Sequence, residues 1–379
     1  MAKHEVEIEP GLKYTEETGR LLRSLPVRDC FLWKEGFDEP VSGLNLVSFG
    51  QRIGALPLPS EGIGGVETLP EFRQQGYMTT LMKKALKGVA RRVKIAFVSD
   101  AIEEMYEKFG FVNCLAEAYL SIPGRHVELI SAGSEPVSSS IRSFLADDLP
   151  AMVNLYNEEH THRSWTHERD DGWNRLLQTQ TWRPGSKVIV LERDESLAGY
   201  AILTEQSFGH AVSSFVVDEL TARDIKAARA LLAEIASRCW QLRISEFRVR
   251  EPLDSTVGRA ARELGCEYRQ TFPISGGMMG AILDRPGLLQ VLEPELRRRL
   301  RLAELSTDQA TAFAGLRQGE IVPDNQALLR LLLGYWSLDD ALAFGTTIPA
   351  RYEPVFAAMF PGGGTKELPL PYSHILDRY

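Results

Sequence analysis

One short stretch constrains this chain more than any other: Glu67-Thr68-Leu69-Pro70-Glu71-Phe72-Arg73-Gln74-Gln75-Gly76-Tyr77-Met78. It predicts a strand halted at a proline, a tight turn, and the first turn of a helix. From Met78 onward apolar residues recur at 78, 81, 82, 85, 86 and 89, the spacing of one buried helix face. A turn that feeds a helix leaves several backbone N–H groups without intrahelical partners, and the helix dipole backs them with partial positive charge. Such a place binds phosphate. Gly76 removes a side chain where backbone must approach a ligand, and Arg73 adds a permanent positive charge.

At 379 residues the chain exceeds one ordinary core, and its length predicts roughly two or three domains. A net charge of -8 argues against a general binder of nucleic acid or of an acidic membrane. No apolar run approaches the ~20 residues that span a bilayer, and the charged start Met1 to Glu7 lacks a signal-peptide core. The four cysteines, Cys30, Cys114, Cys239 and Cys266, are scattered without C-x-x-C spacing. A reduced, cytoplasmic compartment and no zinc site follow as expectations.

Periodicity and punctuation predict strands at His4–Ile8, Gly43–Phe49 and Gln51–Leu58, with Gly50 between the last two and a turn region over Pro59–Gly65. Thr15–Leu25 reads as a helix closed by Pro26, and Phe31, Trp33 and Phe37 as lying in a loop. After the opening stretch come a strand at Val93–Val98, a helix over Ala101–Phe109 stopped by Gly110, and a strand or hairpin over Phe111–Ile122. Ser131–Ser140, rich in serine, is a linker. A second unit then repeats the order strand, turn, helix, strand, helix, glycine, strand, with helices over Thr221–Cys239 and Ser255–Leu264. This predicts a diverged internal duplication. At the turn where the first copy has Arg73-Gln74-Gln75-Gly76, the second has Asp218 to Asp224, which lacks glycine and carries carboxylates that repel phosphate. The second copy is expected to keep the fold and lose the ligand. From Phe272 a third unit follows: a strand at Met278–Leu283 and helices near Pro286–Leu302, Asn325–Tyr335, Ser337–Phe344 and Pro354–Phe360.

The Arg73-Gln74-Gln75-Gly76-Tyr77-Met78 run resembles the acetyl-CoA loop R/Q-x-x-G-x-G/A of the GCN5-related N-acetyltransferases, with Met78 in place of the final small residue. Tyr106-Glu107-Lys108-Phe109-Gly110-Phe111 resembles the tyrosine-bearing helix end that follows the next strand in that family. The whole layout resembles the Eis-type subfamily. That resemblance implies an α+β chain of two tandem GNAT-like folds with central mixed sheets, followed by a sterol-carrier-protein-like α/β domain. The units would be a catalytic one over 1–130, a degenerate one over 131–270, and the sterol-carrier-like one over 271–379, its tail reaching the active site.

The same resemblance assigns roles. Val66 and Thr68 would offer backbone groups to the pantetheine arm of acetyl-CoA. Arg73, Gln74, Gln75, Gly76 and Tyr77 would cradle the diphosphate. Tyr106 would be the general acid for the leaving thiolate, and the terminal carboxylate of Tyr379 the general base, with Glu67 as the fallback. It implies direct acetyl transfer to a primary amine, an aminoglycoside-like polyamine or a lysine, and a homo-oligomer, a hexamer by likeness. The contrasting function is a CoA-sensing or lipid-binding scaffold. Trp33 and Phe37 are candidates for an acceptor-pocket wall as well as for core packing. His160, His162 and His167 lie in a polar stretch and read as a solvated loop rather than a metal cluster. Arg297, Arg298 and Arg299, with Glu293 and Glu295 nearby, read as a solvated helix face.

Overall fold

The computed structural model describes residues 2–22, 25–124, 140–170, 173, 186–208, 211–304, 309–322, 324–362, 364 and 368–373. The expected linker falls almost wholly outside them. Contacts divide the chain into two compact units, each built from two stretches: 1–115 with 273–362, and 116–272 with 363–378.

The first unit begins with three antiparallel strands, β1 (Ala2–Glu9), β2 (Leu12–Leu22) and β3 (Leu25–Lys34). β2 replaces the helix expected over Thr15–Leu25. Its Tyr14, Thr15 and Thr18 suit a pleated surface, partners on both sides satisfy its backbone, and the register shift around Thr18 and Arg20 accommodates Gly19 at φ 110° as a bulge does. Trp33 and Phe31 likewise lie in β3 rather than a loop. Along β3, Cys30 and Leu32 are fully buried, and Phe31 and Trp33 point to the opposite face by alternation.

β4 (Ser42–Ile53) and β5 (Leu56–Thr68) form a long hairpin turning at Gly54-Ala55, where Gly54 has φ 58°. Gly50 sits inside the ladder, opposite Pro59, so the expected break there and the turn over Pro59–Gly65 are both absent. The prolines are tolerated because the other neighbour of β5 first pairs at Glu61, which leaves Pro57 and Pro59 on an edge where a missing N–H costs nothing. That neighbour is β6 (Ile95–Ala101), parallel to β5 over Glu61–Ile63. Beyond Ile63 the pairing ends while β5 runs on to Thr68 beside β4, so the two parallel strands part toward their C-terminal ends. Helix α1 (Tyr77–Val89) packs Leu81, Met82 and Ala85 against Leu44, Leu46 and Ile63.

The chain then exchanges strands. The expected 111–122 hairpin divides: β7 (Val112–Asn113) stays in the first sheet and β8 (Glu117–Pro123) enters the second. In return β15 (Gly277–Ile282), which follows the whole second copy, inserts between β6 and β7. The first sheet therefore runs β1-β2-β3-β4-β5-β6-β15-β7. The helices after β15 belong to the same unit. Leu329 of a helix at Asn325–Leu332 reaches Gly280, where a Cβ would stand 3.0 Å from Leu329 and from Phe97. In the helix Arg285–Leu302, Arg299 is buried, pairs with Glu295 at 2.8 Å and donates to the Met359 carbonyl at 2.9 Å. The solvated-face expectation thus fails for Arg299.

The second unit has the sheet order β14-β8-β13-β12-β11-β10-β9. Its strands are β9 (Ile141–Ser143), β10 (Ser186–Arg193), β11 (Ser196–Phe208), β12 (Ala211–Ala222), β13 (Glu246–Val249) and β14 (Glu267–Thr271). β8 takes the place between β13 and β14 that β15 takes in the first sheet. β12 and β13 are its parallel pair, over Phe215–Val217, matching β5 and β6. The helix after β12 spans Ile225–Gln241, starting four residues beyond the expected Thr221 because β12 continues to Ala222.

Candidate active site

In the first unit, the parting of β5 from β6, the loop 69–76 and the start of α1 enclose a cleft of about 560 Å³. Leu69 accepts from Phe72 N–H and Pro70 from Arg73 N–H, which coils Pro70–Phe72 into a single tight turn. Gln74 then takes φ 60° and Gly76 φ 87°. A Cβ at Gly76 would meet nothing within 4 Å, so its glycine is required by conformation, and the space beside it is open. The first N–H to bond back into the helix is that of Thr80, to Gly76 O at 3.0 Å. No side chain caps the helix start. The N–H groups of the first turn are therefore left to solvent or a ligand.

Six of the seven sequence-predicted cofactor residues line this cleft: Val66, Thr68, Arg73, Gln74, Gly76 and Tyr77. The seventh, Gln75, folds its side chain back to donate to Glu71 O at 2.7 Å. Arg73 donates through Nε to Thr68 O at 3.1 Å, tying the loop to the end of β5. Met78, the departure from the loop pattern, is on the wall, as is Glu67. Phe72, Thr79, Met105 and Lys108 complete it and were not singled out from sequence. Lys108 had a signal, two places after Tyr106; Phe72, buried beneath the loop, had none beyond being apolar.

Tyr106 ends the short helix α2 (Glu103–Tyr106). Its ring stands edge-on to Phe111 at 6.0 Å and is 6% exposed. Burial pushes its phenol above the ordinary value, so it keeps its proton at neutral pH. Met105 and Lys108 on either side reach the cleft wall, which Tyr106 does not form. Phe37 packs on Phe72 at 4.8 Å, and Phe72 on Tyr77 at 5.7 Å. Phe37 is thus one ring behind the cleft. Trp33 is held elsewhere, donating to Thr15 Oγ1 at 2.9 Å. Tyr379 lies outside the described residues.

The corresponding place in the second unit is filled by the protein's own groups. Asp224 caps the helix start, accepting from Ala227 N–H at 2.9 Å, and pairs with Arg193. Asp218 and Glu219, expected in a turn, are fully buried in β12. Arg169 donates to Glu219 at 2.7 and 2.5 Å, and its guanidinium stacks on the Tyr156 ring. His160 and His167 are buried as well, against the solvated-loop expectation, because the same stretch carries Arg163 and Arg169 into the interior. Arg163 pairs with Asp254 at 2.9 Å and donates to Leu370 O at 2.7 Å, while Leu370 N–H donates to Asp254. Tyr372 N–H donates to Ser164 O. Residues 368–373 are thereby fastened within this unit.

An open loop-to-helix turn beside two parting parallel strands is suited to a phosphate-bearing ligand. Residues 13–113 match the model of the acetyltransferase (GNAT) domain family. That match covers about a quarter of the chain, all of it in the first unit, and makes this stretch similar to a GNAT acetyltransferase domain. Solved structures show the same fold. A GCN5-related N-acetyltransferase from Anabaena variabilis ATCC 29413 is 13% identical, with TM-score 0.66, covering 91% of this chain and 88% of that one. One from Kribbella flavida is 16% identical, with TM-score 0.64, covering 93% and 88%. A conserved protein of unknown function from Enterococcus faecalis V583 is 18% identical, with TM-score 0.56, covering 70% of this chain but only 64% of its own length. No curated protein matches the chain in sequence.

Proposed function

We propose that the chain transfers acetyl from acetyl-CoA directly to a primary amine, a small polyamine of aminoglycoside type or a lysine. The observation that carries this reading is the uncapped, open start of α1 beside the free edge of β5. Backbone N–H groups of 74–79 and Arg73 would take the diphosphate, and the β5 edge near Val66 would pair with the pantetheine amides.

A lysine-like amine has a pKa of ~10.4, so presenting it neutral at pH 7 costs roughly 4–5 kcal/mol. Holding both reactants in place supplies about 7–11 kcal/mol, so positioning outweighs the base and a carboxylate acting through water suffices. In our reading the Tyr379 carboxylate is that base, with Glu67 the alternative. The amine nitrogen bonds to the thioester carbon, its proton passes to the base, and the C–S bond breaks. The thiolate (pKa about 8.5) is a weaker base than a phenolate at ~10. Tyr106 therefore gives its proton in concert with C–S cleavage and regains one from solvent. We also read the segment from 271 as sterol-carrier-like, and the protein as a cytoplasmic homo-oligomer, a hexamer by likeness.

The test is calorimetry with acetyl-CoA together with thiol release across an amine panel. The expected result is binding plus release with at least one amine. Tight binding without release from any amine would instead favour a CoA-sensing scaffold.

A further inference from the structure

The stretch Leu368-Pro369-Leu370-Pro371-Tyr372-Ser373 belongs to the second unit. Its two prolines have no backbone N–H, and they bias Leu370 between them toward extended backbone. Leu370 therefore carries the one N–H of the Pro-Leu-Pro run, and a single ion pair takes both of its backbone groups. Its N–H donates to Asp254 Oδ2 at 2.7 Å. Its carbonyl accepts from Arg163 Nη1 at 2.7 Å, and the same nitrogen donates to Asp254 Oδ1 at 2.9 Å. Two residues on, Tyr372 N–H donates to Ser164 O, and Tyr372 and Ser373 are buried. The Arg163 and Asp254 side chains are only 3% and 9% exposed, so salt screens this clamp little.

Two groups beside the clamp are unmatched. Arg163 Nε is buried without a hydrogen-bond partner among the described residues, and so is Glu251 Oε1. One is a donor and the other an acceptor, and the Arg163 charge acts on the Glu251 carboxyl. The other groups facing Glu251 are the carboxylates of Glu159 and Glu219 and the Ser255 hydroxyl. Glu219 is matched by Arg169, and Glu159 accepts from Thr256 N–H at 3.2 Å. Tyr268 faces Arg163 and Asp254. Burial and the two neighbouring anions keep the proton on Glu251 past the usual carboxylate range. While it is neutral, the ionised Asp254 is the stronger partner for Arg163. Once Glu251 loses its proton to solvent, two buried carboxylates claim one guanidinium, and a buried charge left unpaired is costly. Turning the guanidinium toward Glu251 relieves that cost. The same turn draws Nη1 away from Leu370 O.

We propose that Arg163, Asp254 and Glu251 form a proton-controlled latch on the segment 368–373. With Glu251 neutral, Arg163 and Asp254 hold Leu370. With Glu251 ionised, Arg163 turns to it and the segment is released. No covalent bond changes.

The experiment is hydrogen exchange of the full chain read by mass spectrometry between pH 6 and pH 9, corrected for the intrinsic pH dependence of exchange. It compares the wild type with Glu251→Gln and Asp254→Asn. Wild-type protection over 368–373 should fall by about tenfold or more across that range, the scale of one charge-assisted hydrogen bond, while peptides from β10 keep theirs. Glu251→Gln, which cannot ionise, should hold the segment up to pH 9. Asp254→Asn should lower its protection throughout. Constant wild-type protection overturns the latch, whatever the variants do. So does an equal fall in Glu251→Gln, full protection in Asp254→Asn, or a parallel loss in β10, which would be loosening of the whole unit. The readout is the segment itself, so each outcome is independent of whether the chain binds acetyl-CoA.

Discussion

Gly76→Ala and Gly110→Ala form a matched pair that separates backbone strain from ligand contact. Both glycines have φ 87°, and a Cβ at either would meet nothing within 4 Å. Neither substitution creates a clash, so the stability cost is conformational. The left-handed region costs a non-glycine residue about 1–2 kcal/mol, partly offset because alanine also narrows the unfolded ensemble. Both variants should therefore lose roughly 1 kcal/mol, read as equal shifts of the urea midpoint. Their effects on ligand should diverge. Gly76 lines the cleft and Gly110 does not. A methyl at Gly76 occupies the space a diphosphate needs and forfeits at least one charge-assisted hydrogen bond, about 1.5–3 kcal/mol. Acetyl-CoA affinity should then fall by about 10- to 100-fold in Gly76→Ala and stay unchanged in Gly110→Ala. Calorimetry on both variants decides it. Equal weakening by the two, or undiminished binding to Gly76→Ala, would refute the loop as the phosphate cradle.

Tyr106→Phe should lower kcat by about 100-fold or more, the scale of a lost general acid, and leave acetyl-CoA affinity unchanged; steady-state kinetics with calorimetry checks both. Because burial raises the Tyr106 phenol, no alkaline fall in kcat from its ionisation should begin below the ordinary phenol range near ~10. Glu251 is 1% exposed, and burial raises its carboxyl well above the usual range although Arg163 opposes the shift. The folded chain holds this proton after the unfolded chain has released it near ~4.3, so this group's contribution to stability falls as pH rises above that point. Glu251→Gln should flatten that fall, seen as a smaller difference between urea midpoints at pH 5 and pH 8 than in the wild type. Burial pushes the Cys30 and Cys239 thiols up to about 12 and raises Cys114 further, all three being buried, whereas Cys266 is half-buried. A thiol reagent at pH 7.5 should label at most Cys266 in the native protein and all four after unfolding; rapid native labelling of Cys30 would contradict the packing of the first sheet.

What the sequence revealed and what it hid divide along the range of the interactions. The cradle was legible because its determinants are adjacent: a proline, a glycine at positive φ and one apolar helix stripe lie within about twenty residues. The exchanged strands were not, because β15 reads as an ordinary apolar run wherever it pairs. Its partner at Gly280 is Val112, far away in sequence, and no local pattern encodes that choice. β2 was misread since its period-two signal is weak and interrupted by Gly19, and only its two neighbours make the extended form win. The stretch 160–170 was misread for a related reason. Polar composition suggests solvent, yet Arg163 and Arg169 have their carboxylates at Asp254 and Glu219, supplied from 50 to 91 residues away.

Repulsion by carboxylates in a turn is the sequence's reason to expect no ligand in the second copy, and the structure offers a different physical ground for that expectation. Asp224 does not repel a phosphate from an otherwise open site. It replaces it, accepting at the helix start the hydrogen bond that an anion would accept, with Arg193 balancing its charge. Relative to glycine, an aspartate cap of this kind is worth roughly a few tenths of a kcal/mol to the helix, a gain that the first copy forgoes by placing Gly76 at the same position. The two helix starts are alternative solutions to one problem, the unpaired first-turn N–H groups. In the second copy the chain satisfies them permanently. In the first no side chain satisfies them, and this open helix start, more than the arginine beside it, is what supports the proposal that the first copy takes a phosphorylated donor.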